Sequence, residues 1–224
     1  MTRALDTIIF DCDGTLVDSQ AMIIRTMEEV FDRAGLTRPD PAAIRRVVGL
    51  SLPEAMAVLL PDLDPRDHHG LADHYKQAFG ALRLAGADRE EMLYPGIADV
   101  LADLDAAGYI LGVATGKSAR GLAHTLDRHG LASLFVTTQT ADRHPSKPHP
   151  SMLQAAIMEA GGVPERTVLI GDTRYDMEMA LSAGAVGLGV TWGYHPAPEL
   201  RASGAKALAT QAGDIPDLLG QLLA

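Results

Sequence analysis

Five short, nearly unbroken apolar runs recur along the 224-residue chain, at Asp6–Phe10, Ile110–Ala114, Leu134–Thr137, Thr167–Ile170 and Val186–Val190. Runs without polar alternation fit parallel strands covered by helices on both faces. Helical spacing follows several of them. Ile97, Val100, Leu101 and Leu104 share one face, as do Leu122 and Leu126, and then Met152, Leu153, Ala156 and Ile157. Gly108, Gly130 and Gly161 close these segments, and the tail from Ile215 to Leu223 reads as a last amphipathic helix. Strand–helix alternation of this kind predicts an α/β fold with a doubly wound parallel sheet.

One stretch breaks the alternation. From about Ser19 to about Arg89 there are helix signals and no convincing strand. Ile23, Met27, Val30 and Ala34 share a face that Gly35 stops, and Pro39, Pro41, Pro53, Pro61 and Pro65 punctuate shorter helices. The expected organisation is therefore a catalytic core of residues 1–15 and 90–224, with an all-helical domain, 16–89, inserted after the first strand.

Composition narrows the partners. Hydrophobic residues at 47 % suffice for a proper core, and aromatics at 4 % leave that core to aliphatic side chains and Met. A formal net charge of -10 argues against a nucleic-acid or anionic-membrane surface. A local lysine or a helix N-terminus can still bind a phosphorylated metabolite. Cys12 is the single cysteine, so no intrachain disulfide forms, and the chain suits a reducing, cytoplasmic setting. The start, MTRALDTIIFDCDG, meets aspartates too soon for a leader. The longest uncharged stretch, Met179 to Pro198, is broken by four glycines and two prolines and reads as core plus loop.

In an open parallel sheet, ligands bind beyond the carboxyl ends of the strands. The residues expected there are Asp11 and Asp13 after the first strand, Thr115-Gly116-Lys117 after the second, Lys147 in the loop past the third, and Asp172 after the fourth, with Asp176 close behind. Each has a task if the substrate is a phosphate ester. Asp11 can attack phosphorus, and Asp13 can protonate the leaving oxygen and later take a proton from water. Asp11 and Asp172 can hold Mg²⁺, which takes oxygen ligands. Thr115 can donate to a phosphoryl oxygen, and Lys147 can balance charge on the nucleophile and the phosphate. Gly14 lets the backbone turn sharply beside the phosphate. Asp176 is placed to support the metal site or to orient Lys147.

"DCDGT", "ATG", "SKPHP" and "GDTRYD" resemble the four motifs of the haloacid-dehalogenase-like hydrolases, and the helical insertion resembles the cap of their phosphoglycolate-phosphatase-like branch. The resemblance spans nearly the whole chain. It implies a Rossmann-like core, a mobile helical cap, Mg²⁺ and an aspartyl-phosphate intermediate. By position it implies Asp11 as nucleophile and Asp13 as acid/base, with the Asp13 backbone carbonyl also on the metal. It implies Thr115, with Gly116 beside it, and Lys147 as phosphate ligands, Asp172 as a metal ligand and Asp176 as its support. In "VVGLSLPEA", Gly49, Ser51 and Glu54 fall where such enzymes carry a cap loop that selects substrates.

The expected function is hydrolysis of a small phosphomonoester. A phosphosugar mutase uses the same core residues, and Arg45-Arg46 keeps that alternative open. A phospho-receiver domain also combines acids, Thr, Lys and Mg²⁺, but the helical insertion argues against it. "ATGKS" ends like a P-loop but has three residues between its glycines, not four. Thr115 and Asp172 are also candidates to cap the helices that follow them. Cys12 reads as a core residue, His68, His69 and His74 as solvated, and His149 as an aid to helix initiation. Trp192 and Tyr194 either line the mouth of the site or pack the sheet edge.

Overall fold

The structure, a computed structural model, describes residues 6–87 and 91–224. The first strand, β1 (Thr7–Phe10), leads to a two-residue strand, β2 (Val17–Asp18), and then to four helices: α1 (Gln20–Arg33), α2 (Pro41–Val47), α3 (Leu52–Leu59) and α4 (Pro65–Leu84). The chain returns through β3 (Met92–Leu93) and α5 (Ile97–Ala106) to β4 (Ile110–Thr115), α6 (Ala119–Arg128) and β5 (Phe135–Thr140). It continues through α7 (Ser151–Glu159), β6 (Thr167–Gly171), α8 (Arg174–Ala183) and β7 (Val186–Val190). Last come α9 (Ala197–Ala202), β8 (Ala207–Ala209) and α10 (Ile215–Leu222).

Six strands form one sheet in the order β5-β4-β1-β6-β7-β8, every pairing parallel. The chain winds outward from β1 in one direction, then crosses to β6 and winds outward in the other. That reversal opens a crevice at the carboxyl ends of β1, β4 and β6. Side chains alternate across β1 as strand geometry requires. Ile8 and Phe10 join a core with α5, α6 and α10, whereas Ile9 joins a second core with α7 and α8. The doubly wound Rossmann-like architecture expected from the alternation is therefore present.

The insertion has a third core of its own, built from Ile23, Met27, Val30, Phe31, Ile44, Met56, Leu71 and Tyr75. β2 and β3 pair antiparallel, Val17 opposite Leu93 and Asp18 opposite Met92, so the outgoing and returning chains cross side by side. The expected first boundary at residue 16 adjoins this ladder. The second, between residues 89 and 90, lies outside the described residues.

Three readings need correction. The third strand starts at Phe135, not Leu134, and runs on through Thr138, Gln139 and Thr140. It is an edge strand with two exposed positions, so it does not need an unbroken apolar run. β8 was not expected at all: three residues of Ala and Leu at the other edge carry too little pattern. His68 is buried, and its Nε2 lies 2.9 Å from the Leu60 carbonyl, whereas His69 and His74 are exposed as expected.

Candidate active site

Asp11 follows β1 directly, and its backbone N–H still bonds the Ile170 carbonyl of β6 at 2.9 Å. Its carboxylate is wholly buried, and neither oxygen has a hydrogen-bond partner among the described residues. The Lys147 ammonium stands 2.9 Å from Asp11 Oδ1, in ion-pair contact, and donates to Asp176 Oδ1 at 2.6 Å. Burial pushes Asp11 up to about 7, against the pull of Lys147. Burial works to lower Lys147, but Asp11 and Asp176 outweigh it and hold the ammonium firmly protonated.

Asp172 follows β6. Its Oδ1 accepts from Thr15 Oγ1 at 2.8 Å, and its Oδ2 accepts from the Tyr194 backbone N–H at 2.8 Å. Burial, then the neighbouring Asp11 and Asp176, push it well above the usual carboxylate range. Asp176 Oδ2 accepts from the Thr173 N–H at 3.1 Å and the Thr173 hydroxyl at 2.6 Å, completing a capping box at the start of α8. Thr173, and not Asp172, is therefore the cap. Asp176 has two tasks, one oxygen for its own helix and one for Lys147.

Oxygens of Asp11, Asp172 and Asp176 lie within 4.8 Å of one another, all buried. Three carboxylates face one ammonium, and one of the three has unpartnered oxygens. Such a site wants a further cation, and an all-oxygen donor set suits a hard one such as Mg²⁺. The expected metal set was Asp11, the Asp13 backbone carbonyl and Asp172, with Asp176 in support; the side-chain cluster brings Asp176 together with Asp11 and Asp172. The Asp13 carboxylate is engaged elsewhere. Its Oδ1 accepts from the Ser19 hydroxyl and lies 2.6 Å from the Lys117 ammonium.

Lys117, expected at the rim but with no task assigned to it, takes part in the site. Its ammonium is also 3.2 Å from Glu91 Oε1, and Glu91 takes Arg83 Nη2 at 3.4 Å and the Thr125 hydroxyl at 3.1 Å. Burial works to lower Lys117, but Asp13 and Glu91 outweigh it and hold the ammonium charged. The available signal was its place two residues past the strand-end threonine; Glu91, 26 residues earlier in the chain, had none. Thr115, at the end of β4, is buried, and its hydroxyl accepts from the Lys117 N–H at 3.3 Å. Ser118, not Thr115, caps α6.

Two glycines permit close approaches. Gly14 has φ 84°, and a Cβ there would meet Asp172 Oδ2 at 2.3 Å. At Gly116 a Cβ would meet the carbonyl oxygens of Gly49 and Leu50 at 2.8 Å. The loop of Gly49 and Leu50 thus rests directly on the rim at the end of β4. Ser51 N–H donates to Ser146 Oγ at 2.8 Å, the Tyr175 hydroxyl to the Arg46 carbonyl at 3.1 Å, and Arg46 pairs with Glu199 at 2.5 Å. These contacts hold the insertion against the core. Between them lies a cavity of about 500 Å³, bordered by Asp11, Asp13, Thr115, Gly116 and Lys117 and by Gly49, Leu50, Leu52 and Ala55 of the insertion.

Of the expected loop residues, Gly49 borders this cavity, Ser51 is buried beside Ser146, and Glu54 is exposed in the first turn of α3 and does not line it. Trp192 and Tyr194 do not border the cavity, but both brace the loops around Asp172 and Thr15. Trp192 donates to the Thr15 carbonyl at 3.2 Å and packs on Tyr94, while the Tyr194 backbone holds Asp172 and its hydroxyl lies 3.3 Å from Ser19 Oγ. Cys12 is a fully buried core residue, and His149 Nδ1 accepts the Ser151 N–H at the start of α7, as expected.

A profile described as haloacid dehalogenase-like hydrolase matches residues 8–190. The chain belongs to the haloacid dehalogenase-like hydrolase family and is an enzyme. It is 36 % identical over 200 residues to the probable phosphatase IndB of Dickeya dadantii, covering 88 % of this chain and 85 % of that one. It is 28 % identical over 223 residues to the phosphoglycolate phosphatase of Nitrosococcus oceani, covering 99 % of both. A solved haloacid dehalogenase-like family hydrolase from Streptococcus pneumoniae superimposes with a TM-score of 0.82 at 25 % identity, over 96 % of this chain and 98 % of that one. No helix among the described residues is long and apolar enough to cross a membrane.

Proposed function

We propose that the protein is a Mg²⁺-dependent phosphatase acting on a small phosphomonoester through an aspartyl-phosphate on Asp11. The observation that carries this reading is the buried, unpartnered Asp11 carboxylate, flanked by Lys147 and by two further aspartates. Phosphatases among its relatives support the same reaction class.

In this reading an Asp11 oxygen attacks phosphorus and the bond to the ester oxygen breaks. Asp13 gives its proton to the departing oxygen, and the alcohol leaves. A water then loses a proton to Asp13 and attacks the aspartyl-phosphate, so inorganic phosphate leaves and Asp11 regains its carboxylate. Lys147 offsets charge on Asp11 and the phosphoryl group, Thr115 donates to a phosphoryl oxygen beside Gly116, and Asp176 keeps Lys147 in place. Ser19 and Lys117 hold Asp13 at the rim. Asp11, Asp172 and the Asp13 carbonyl, with Asp176 in support, would hold Mg²⁺, which supplies charge neutralisation for the transferring group. Residues 16–89 act as the cap, closing over the substrate and excluding water. The setting is the cytoplasm.

Arg45 and Arg46 do not border the cavity, and Arg46 is occupied by Glu199, so they offer no second-phosphate site of the kind a mutase needs. The test is phosphate release from a panel of phosphomonoesters, with Mg²⁺ or with EDTA. Mg²⁺-dependent release that EDTA abolishes is the expected result. Release that is indifferent to EDTA contradicts the metal, and no release from any ester contradicts the reaction.

A further inference from the structure

The cavity above the proposed phosphate site has a wall that a two-carbon acid does not need. On the insertion side it is lined by Ile23, Met27, Ile44, Leu52, Tyr75 and Phe79. Tyr75 and Phe79 are stacked, with ring centroids 5.7 Å apart. At about 500 Å³ the space falls in the range that holds drug-sized ligands, mostly apolar with a few placed polar groups.

The cations around the cavity are largely committed. Lys117 lies on Asp13 and Glu91, Arg83 on Glu91, and Lys76 on Asp73. Arg120 is exposed at the rim. A second carboxylate buried against this wall, away from Arg120 at the rim, would meet apolar side chains and lose its hydration. An apolar ring would gain by the same burial.

Gly80 lies on the same wall, inside α4. Glycine in a helix interior is less favourable than alanine. A Cβ at this position would meet nothing within 4 Å, so the backbone here borders open space.

We infer that the substrate is a phosphomonoester that carries an aromatic or similarly bulky apolar body, and not a two- or three-carbon acid. The inference rests on the phosphatase reading. The phosphate sits at the Asp11 end, and the body lies against the Tyr75, Phe79 and Ile44 wall, beside Gly80.

The test compares 2-phenylethyl phosphate with 2-phosphoglycolate, whose leaving oxygens are both primary. Wild-type protein and the Gly80→Leu variant, which fills the open space, are assayed side by side. Gly80 is outside the catalytic machinery, and leucine suits a helix. The expected result is a kcat/KM at least ~10-fold higher for the phenylethyl ester, the ratio that burial of one ring supports. Gly80→Leu is expected to lower that value at least ~10-fold while changing phosphoglycolate turnover by less than about twofold. Phosphoglycolate preferred by the wild type, or a variant that slows both esters equally, overturns the inference and leaves the phosphatase reading standing. Should Gly80→Leu fail to fold, Gly80→Val and the wild-type ratio decide in the same way. No phosphate from either ester, or from acetyl phosphate as a bodiless control, overturns the phosphatase reading and this one with it.

Discussion

The rim formed by β1, β4 and β6 and the helices that lie over it face the same cavity, yet they are built from different material. On the core side Asp11, Asp172, Asp176 and Lys147 are all buried; Lys147 pairs with Asp11 and Asp176, and Asp172 is held by the Thr15 hydroxyl and the Tyr194 backbone N–H. On the insertion side Ile23, Met27, Ile44 and Tyr75 are buried in a core of their own and present apolar surface to the cavity. Buried charges tolerate almost no change, because removing one partner strands the other. An apolar wall tolerates substitution that conserves volume. The comparison teaches where chemistry is held and where selectivity is free to drift.

The largest expected effect comes from the nucleophile. Asp11→Asn keeps the shape of the side chain, so circular dichroism stays unchanged while turnover falls by at least ~10³-fold. A variant that keeps more than a tenth of wild-type activity breaks the comparison at its root.

Lys147→Ala leaves Asp11 and Asp176 without their ammonium. Stability measured by denaturant unfolding is expected to drop by ~3–5 kcal/mol in the metal-free protein. A wall substitution such as Leu52→Met should cost less than ~1.5 kcal/mol in the same experiment. Equal losses would erase the distinction between the two sides.

Asp11 links metal to protons. Its acidity stands at about 7 in the fold against 3.8 unfolded, so its contribution to the metal-free protein is fully present below 3.8 and is lost as pH rises through about 7. Mg²⁺ needs the carboxylate free, so protons compete with it. Because Asp172 is raised as well, calorimetric titration should show Mg²⁺ affinity falling by at least roughly tenfold per pH unit below 7. A flat profile would remove Asp11 from the metal set.

Smaller effects mark the contact between the two regions. Gly116→Ala places a methyl against the Gly49 and Leu50 carbonyls. It should raise KM about tenfold with little change in unfolding free energy, because it opposes closure and not folding. Glu54→Ala should change neither stability by more than ~0.5 kcal/mol nor the substrate preference, since Glu54 is exposed and off the cavity.

The same contrast explains what could be read before the fold was seen. Asp11, Thr115 and Asp172 sit at strand ends, with Asp13 just past one and Lys147 in the loop beyond another, where hydropathy announces the strand and chemistry announces the residue. The strands of the sheet interior are legible for that reason; the edge strand β5 is legible over Phe135–Thr137 but not to its end, where exposed positions relax the pattern, and β8 is too short to carry one. The Arg83–Glu91–Lys117–Asp13 network was hidden because its members come from four separate segments that meet only in the fold. Glu54 went the other way. Its place in a motif suggested a role, and the first turn of α3 points to solvent instead. The apolar wall was invisible as a wall, since helical periodicity shows which residues are buried but not which of them border a cavity.

The most direct test of the covalent step is to trap it. The protein is quenched in acid during turnover, reduced with borohydride, which converts an aspartyl-phosphate to homoserine, and mapped by tandem mass spectrometry. Homoserine at position 11 alone, absent without substrate, is the predicted result. Phosphate release with no homoserine at position 11, or homoserine at position 13, contradicts Asp11 as the nucleophile.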